Sequence, residues 1–473
     1  MTHTTAPRET GSQADLSPLR AGFAGEILTP DDGETYDATR AVFNGMFDRR
    51  PAVVARATTA ADVVAALGFA RAEALPIAIL GGGHSVAGYS TIDDGLLIDL
   101  RPMKGIEVDP VGRKARVQPG VTWGEFDAAS QQHGLATTGG RMTTTGVAGF
   151  TLGSGSGWLE RLHGLAADNL LSAQVVTADG RVLTANETEN PDLFWGLRGG
   201  GGNFGVVTEF EFRLHPVGPL VYGGMLMYPR DRAPEVCRNF RDFMRDAPRE
   251  VAGGIIFMHA PPAPFVPAEL QGRPAVAVLA AHWGAVEDGE AALAPLREFG
   301  DPAVDVMQPM PYVALQAITD AGNPPGRRNY WRSELLTDLP DDAIDAFIAS
   351  ADAATSPASV MILAPGGGAV GDVSEDATPL SGRSATWFYH CYGIWTEPVE
   401  DDLHIGWVRA TEQALRPWTM TGMALNFMSD IDDSRVRDTF GPAKYERLVA
   451  LKDAYDPGNL FRMNRNVHPS QEA

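Results

Sequence analysis

Between residues 52 and 80 the chain sets two short aliphatic runs, AVVARA (52–57) and PIAIL (76–80), on either side of AADVVAALGFARAEA. The apolar positions of that central segment recur at helical spacing, and Thr59 stands before it as an N-cap. The pattern predicts strand, helix, strand, with the second strand running into Gly81-Gly82-Gly83-His84-Ser85. LLIDL (96–100) and ARVQPG (115–120) continue as strands, and Thr122 opens a helix that reaches about His133. SAQVVTADGRVLTA (172–185) alternates on both sides of Asp179-Gly180, which predicts a hairpin. GVVTEFEFRL (205–214) alternates as a strand with one wet face.

After His215-Pro216 the texture changes. Alternating strands (GGIIFM, 253–258; AVAVLAAHW, 275–283) mix with helical runs such as DDAIDAFIASADAA (341–354), which predicts a second domain of antiparallel sheet with helices. The tail from Tyr445 reads as a helix, then Asp-Pro-Gly, then a short polar segment ending in Asn464, Arg465, Asn466 and Val467. The first 30 residues, rich in Thr, Ser and Pro, are expected to be a disordered tail.

Charge narrows the function. Among 473 residues, 60 are acidic and 38 basic, a formal charge of −22, and such a field repels nucleic-acid and membrane phosphates. The two cysteines, Cys237 and Cys391, make no disulfide framework, and without CxxC or HExxH no metal site is expected. With no apolar run of membrane-spanning length and no leader pattern, a cytoplasmic protein is expected.

Three glycine-rich stretches carry candidate chemistry. Gly200-Gly201-Gly202-Asn203-Phe204-Gly205 satisfies GxGxxG, but a dinucleotide fingerprint needs a strand before it and a helix after it. Here PDLFWGL before it reads helical and VVTEFEF after it reads as a strand, so a Rossmann site is rejected. The loop 81–85 follows a strand and can present backbone N–H groups to a phosphate, or can be a tight turn with an incidental histidine. Residues 139–158 are small and nearly uncharged, yet Val147, Phe150, Leu152 and Trp158 are too apolar for a linker, so a packed backbone wall for a flat ligand is expected.

In order, GGGHSVAG (81–88), VQPGVTWGEFD (117–127), TTTGVAGFTLG (143–153), GLAADNLLSAQVVTADG (164–180), PDLFWGLRGGGGNFGVVTEFEF (191–212) and YDPGNLFRMNRNV (455–467) resemble the FAD-linked oxidases of the berberine-bridge-enzyme type, within the vanillyl-alcohol-oxidase superfamily. The resemblance is close over about 36–217 and 440–473 and loose between. It implies an α+β chain: a two-lobed PCMH-type FAD-binding domain (31–217), a substrate domain of antiparallel sheet flanked by helices (218–437), and a C-terminal segment (438–473) returning to the FAD domain. It implies FAD held by Gly81, Gly82, Gly83, His84, Ser85, Thr144, Thr145, Gly146, Gly149, Gly153, Asn169, Gly205, Val207, Asn464 and Asn466. His84 stands where family members bond the flavin 8α-methyl. Met142 stands where many carry a second, cysteinyl tether, so a single covalent link is expected.

The resemblance also marks departures. Thr145 falls where a bulky residue would hinder oxygen, which favours an oxidase, though it can equally serve only to hydrogen-bond the flavin ring. The family's catalytic tyrosine is replaced in Ala424-Leu425-Asn426, and an often aromatic lining position is Ser156, so an enlarged, aromatic-poor floor is expected. Alternation along WFYHCYGIW (387–395) puts Phe388, His390, Tyr392 and Ile394 on one face, making His390 the candidate base beside Tyr392, or a satisfied core histidine. The leading reading is an oxidase that takes hydride from an alcohol, sugar or bulky secondary-metabolite-type substrate and passes electrons to O2, giving H2O2. The alternatives are a dehydrogenase with another acceptor and a degenerate flavoprotein that sequesters a ligand. The sequence leaves the oligomeric state open.

Overall fold

The computed structural model describes residues 15–420, 422 and 425–471. Ala424, the position of the missing tyrosine, lies outside the described residues.

Local chemistry sets the first lobe. Thr59 Oγ1 accepts the backbone N–H of Asp62 at 3.2 Å, and the Asp62 carboxylate reaches back to the N–H groups of Thr58 and Thr59, so the helix Ala60–Ala72 starts in a capping box. It packs on a four-stranded sheet in the order Glu26–Leu28, Val53–Arg56, Leu96–Asp99, Ile77–Leu80, whose last three strands are parallel. Residues 17–30, expected within a disordered tail, are instead ordered. Ser17–Ala21 is a helix that buries Leu19 with the core of this lobe, and Glu26–Leu28 pairs antiparallel with Val53–Arg56.

The second lobe is a five-stranded antiparallel sheet, in the order Ile106–Asp109, Lys114–Val117, Val206–Arg213, Leu170–Val176, Val182–Asn186. The 172–185 hairpin turns at Asp179-Gly180, with Gly180 at φ +89°. The GxGxxG stretch does lie between a helix, Pro191–Leu197, and a strand, Val206–Arg213. Its side chains anchor the C-terminal segment: Asn203 donates to Arg465 O and accepts the N–H of Val467. Fully buried Lys452 donates to Asp456, Asn203 O and Phe461 O, tying the helix Pro442–Tyr455 to the same place. Leu448 and Leu451 of that helix share a core with Phe194 and Phe204.

The third unit is an eight-stranded antiparallel sheet. The helices Ala233–Asp246, Asp341–Asp352 and Asp401–Leu415 cover one of its faces over a core that includes Trp387, Tyr389, Cys391 and Trp395. Period-two alternation therefore turns Phe388, His390, Tyr392 and Ile394 toward the first two lobes.

The helices Trp123–Ser130 and Tyr312–Gln316 join the second lobe to this sheet around a buried carboxyl. Tyr312 Oη donates to Asp127 at 3.4 Å and Gln316 Nε2 at 3.1 Å, and burial lifts Asp127 to about 7. Gln316 Oε1 has no partner, so the amide, turned over, offers an acceptor to a protonated Asp127. Below about pH 4 the group is protonated whether the chain is folded or not. As pH rises toward 7 the unfolded chain gives up this proton first, so the stability it contributes is lost over that window. Asp127→Asn is expected to melt with wild type near pH 4 and several degrees above it at pH 8. Melting profiles that run parallel across this range would remove Asp127 as the cause.

Candidate active site

The loop 81–85 and the loop 142–146 meet backbone to backbone. A Cβ on Gly82 would lie 2.2 Å from Gly146 N, so neither position admits a side chain. Gly83 sits at φ +73°, turning the chain so that His84 faces Phe43, with ring centroids 4.2 Å apart. His84 Nε2 lies 2.9 Å from Thr144 Oγ1, and burial holds the imidazole down to about 4, neutral at physiological pH.

These loops form one wall of a cavity of about 290 Å³ that runs from the first lobe to the eight-stranded sheet. Of the residues selected from the sequence, Gly81, Gly82, Gly83, His84, Ser85, Thr145, Gly146, Gly149, Gly153, Ser156, Gly205, Val207, Tyr392 and Asn464 all line it. Thr144 reaches it only through His84. Asn169 does not: it is buried in its own turn, donating to His163 O and Leu165 O and meeting His215 Nε2 at 2.7 Å. Asn466 is also outside the lining.

The floor departs from expectation in two ways. It is aromatic, because Trp331, Tyr392 and Phe427 line it, and Trp331 stands opposite Tyr392 across paired strands with centroids 4.6 Å apart. His390, the candidate base, lies one layer behind: it is 2% exposed, stacked on Tyr392 at 3.7 Å and beside Phe427 at 4.4 Å, and its Nε2 has no partner. Burial pushes His390 well below its ordinary range, with the charge of Arg141 acting the same way, so it takes up a proton poorly. Burial pushes the Tyr392 phenol the other way, and it stays protonated at neutral pH.

Sequence reasoning missed Arg141, Trp331, Phe427 and Arg465, all in the lining. Arg465 donates to the Tyr89 hydroxyl at 3.1 Å and to the carbonyls of Met428 and Ser429, so it fixes the tail against the floor. A lone arginine in an otherwise uncharged glycine stretch was the available signal for Arg141.

The lining suits a flavin nucleotide. A Cβ at Gly149 or Gly202 would meet nothing within 4 Å, so both glycines leave room that a bound group can occupy. Asn464 Oδ1 is buried at the wall without a partner, an acceptor that such a group's N–H or O–H groups can satisfy.

Comparison with known proteins agrees with this geometry. A family profile described as an FAD binding domain matches residues 51–186, and one described as berberine and berberine-like matches 422–468. (R)-6-hydroxynicotine oxidase of Paenarthrobacter nicotinovorans is 32% identical over 461 residues, covering 94% of this chain and 97% of the relative. The crystal structure of 6-hydroxy-D-nicotine oxidase from Arthrobacter nicotinovorans superposes with a TM-score of 0.85 at 28% identity, over 96% of this chain and 99% of that one. Xylooligosaccharide oxidase from Myceliophthora thermophila, at 23% identity, shares the fold with a TM-score of 0.82, over 96% of this chain and 98% of that one. With its FAD-binding domain, its berberine-like C-terminal segment and a relative alike over nearly its whole length, the chain belongs to the berberine-bridge-enzyme-like FAD-linked oxidoreductases.

Proposed function

We propose that the protein is an FAD-dependent oxidase carrying its flavin on a single covalent link to His84 and acting on a substrate with a flat ring. The observation that carries this reading is the continuity of one cavity from the glycine cradle and His84 to the Trp331–Tyr392–Phe427 wall. A bound flavin would supply the hydride acceptor and the site from which O2 takes the electrons as H2O2. The chain's own residues bind and orient. Gly81 to Ser85 and Asn464 would hold the cofactor, with Met142 unable to supply a second tether. The aromatic wall takes the substrate ring by stacking and edge contacts, which favours the ring-bearing substrate class of the hydroxynicotine oxidase relative over a saccharide. Tyr392 offers its hydroxyl as a donor, with His390 packed behind its ring.

Thr145 lines the cavity with a small side chain and leaves space for O2. Photoreduced protein is therefore expected to reoxidise within seconds in air and form one peroxide per flavin, and Thr145→Leu is expected to slow that step by roughly tenfold or more. Reoxidation over many minutes in the wild type would favour a dehydrogenase with another acceptor. Because this measurement needs no substrate, it tests the oxidase reading alone.

A further inference from the structure

The charged side chains of the cavity wall are few and all cationic. Among the described residues no Asp, Glu or Lys lines the cavity, and its only arginines are Arg141 and Arg465. Arg465 is 9% exposed and committed to Tyr89 and two carbonyls. Arg141 is placed differently. Its Nη1 donates to Ser156 O and Oγ at 3.2 Å each, and its Nη2 to Gly157 O and to Glu160 at 3.1 Å. The guanidinium lies over the rings of Trp158 and Phe388, at 5.5 and 5.7 Å. These bonds engage both terminal nitrogens and leave Nε without a partner among the described residues, with 24% of the side chain still exposed.

Glu160 is nearly buried and fixes the fork from behind, as an orienting carboxylate would. Phe388, beneath the guanidinium, shares a sheet face with His390 and Tyr392, and the charge of Arg141 is felt at both. So the one oriented cation stands beside the aromatic wall that receives a ring. In an acidic protein of net charge −22, an anion is recognised here only through such a local, partly desolvated donor.

Resting on the oxidase reading, we propose that the substrate carries an anionic oxygen, a carboxylate or a phenolate, on or next to its ring, and that Arg141 is the residue that selects it. The proposal agrees with the state of the neighbouring groups. Neither His390 nor Tyr392 takes up a proton readily at neutral pH, and a substrate whose reacting phenol arrives as the phenolate needs no base from the wall, whereas for a carboxylate the preference concerns binding alone.

The test is calorimetric titration of the flavin-loaded protein with two matched pairs, benzoate against benzamide and 4-nitrophenolate against 4-nitroaniline. In at least one pair the anion is expected to bind ten- to a hundredfold more tightly, the range of a charge-assisted hydrogen bond. Which pair responds tells a carboxylate from a phenolate site. Arg141→Gln is expected to abolish the preference and Arg141→Lys to keep part of it, with the flavin spectrum reporting that each variant is intact. Equal affinities within both pairs in the wild type overturn the proposal, even if neither variant folds. So does a preference that survives in flavin-loaded Arg141→Gln. Rapid air reoxidation without an anion preference would sink this inference and leave the oxidase reading standing. The opposite pattern would do the reverse.

Discussion

His84→Ala protein is expected to give up all its flavin to the supernatant on acid precipitation, or to lose it during purification, whereas the wild-type pellet stays yellow. Three features of its surroundings would set the ring for the proposed attachment. Gly83 at positive φ turns His84 into the cavity, Phe43 stacks on one ring face at 4.2 Å, and Thr144 Oγ1 meets Nε2 at 2.9 Å. Burial holds the imidazole down to about 4, so at neutral pH one ring nitrogen keeps its lone pair. When Nε2 donates to Thr144, that nitrogen is Nδ1. Met142, packed with Phe43 and Trp331, has no thiol to hold the cofactor once His84 is gone. Acid-soluble flavin from the wild type would refute the covalent link, and acid-stable flavin in His84→Ala would move it to another residue.

Gly146→Ala and Gly82→Ala are expected to abolish flavin incorporation and to lower the thermal midpoint by several degrees. The added Cβ on Gly146 would stand 2.4 Å from Gly82 N, and that on Gly82 2.2 Å from Gly146 N. Both obstacles are backbone and cannot rotate away. Separation of the loops is opposed on each side: Trp123 N donates to Thr145 O at 2.9 Å, Val147 N to Val121 O at 2.9 Å, and Phe43 N to Gly83 O at 3.0 Å. Relief of the clash breaks some of these bonds, which places either variant in the range above about 3 kcal/mol reserved for backbone and packing failures. Gly149→Ala separates folding from cofactor space, because its Cβ meets no protein atom within 4 Å and enters the cavity. That variant is expected to fold with a near-wild-type apo midpoint and reduced flavin content. Full flavin content and an unchanged midpoint in Gly146→Ala would show that the loops part at little cost.

What the amino-acid order determined by itself was whatever neighbouring residues decide among themselves. The Thr59 and Thr122 caps, the Asp179-Gly180 turn and the alternation that puts His390 and Tyr392 on one face each rest on interactions within a few positions. The same local logic rejected the GxGxxG stretch as a Rossmann site, since helix before strand is readable in one segment. The ordered run of motifs added the family, and with it the glycine cradle and His84 that the cavity brings together.

Depth and partnership needed the tertiary structure. Alternation names a face but says nothing of what covers it, so only the packing of Tyr392 and Phe427 puts His390 behind the wall. Asn169 sits in a motif yet spends its amide on its own turn and on His215, 46 positions away. The expected loss of aromatic floor was reversed by Trp331, which arrives through strand pairing with Tyr392 across 61 positions. Arg141 became a candidate only when the fold brought Glu160, Trp158 and Phe388 around it. Such contacts form because burying a large apolar surface forces distant segments together, and the side chains that end up facing one another are set by the whole packing.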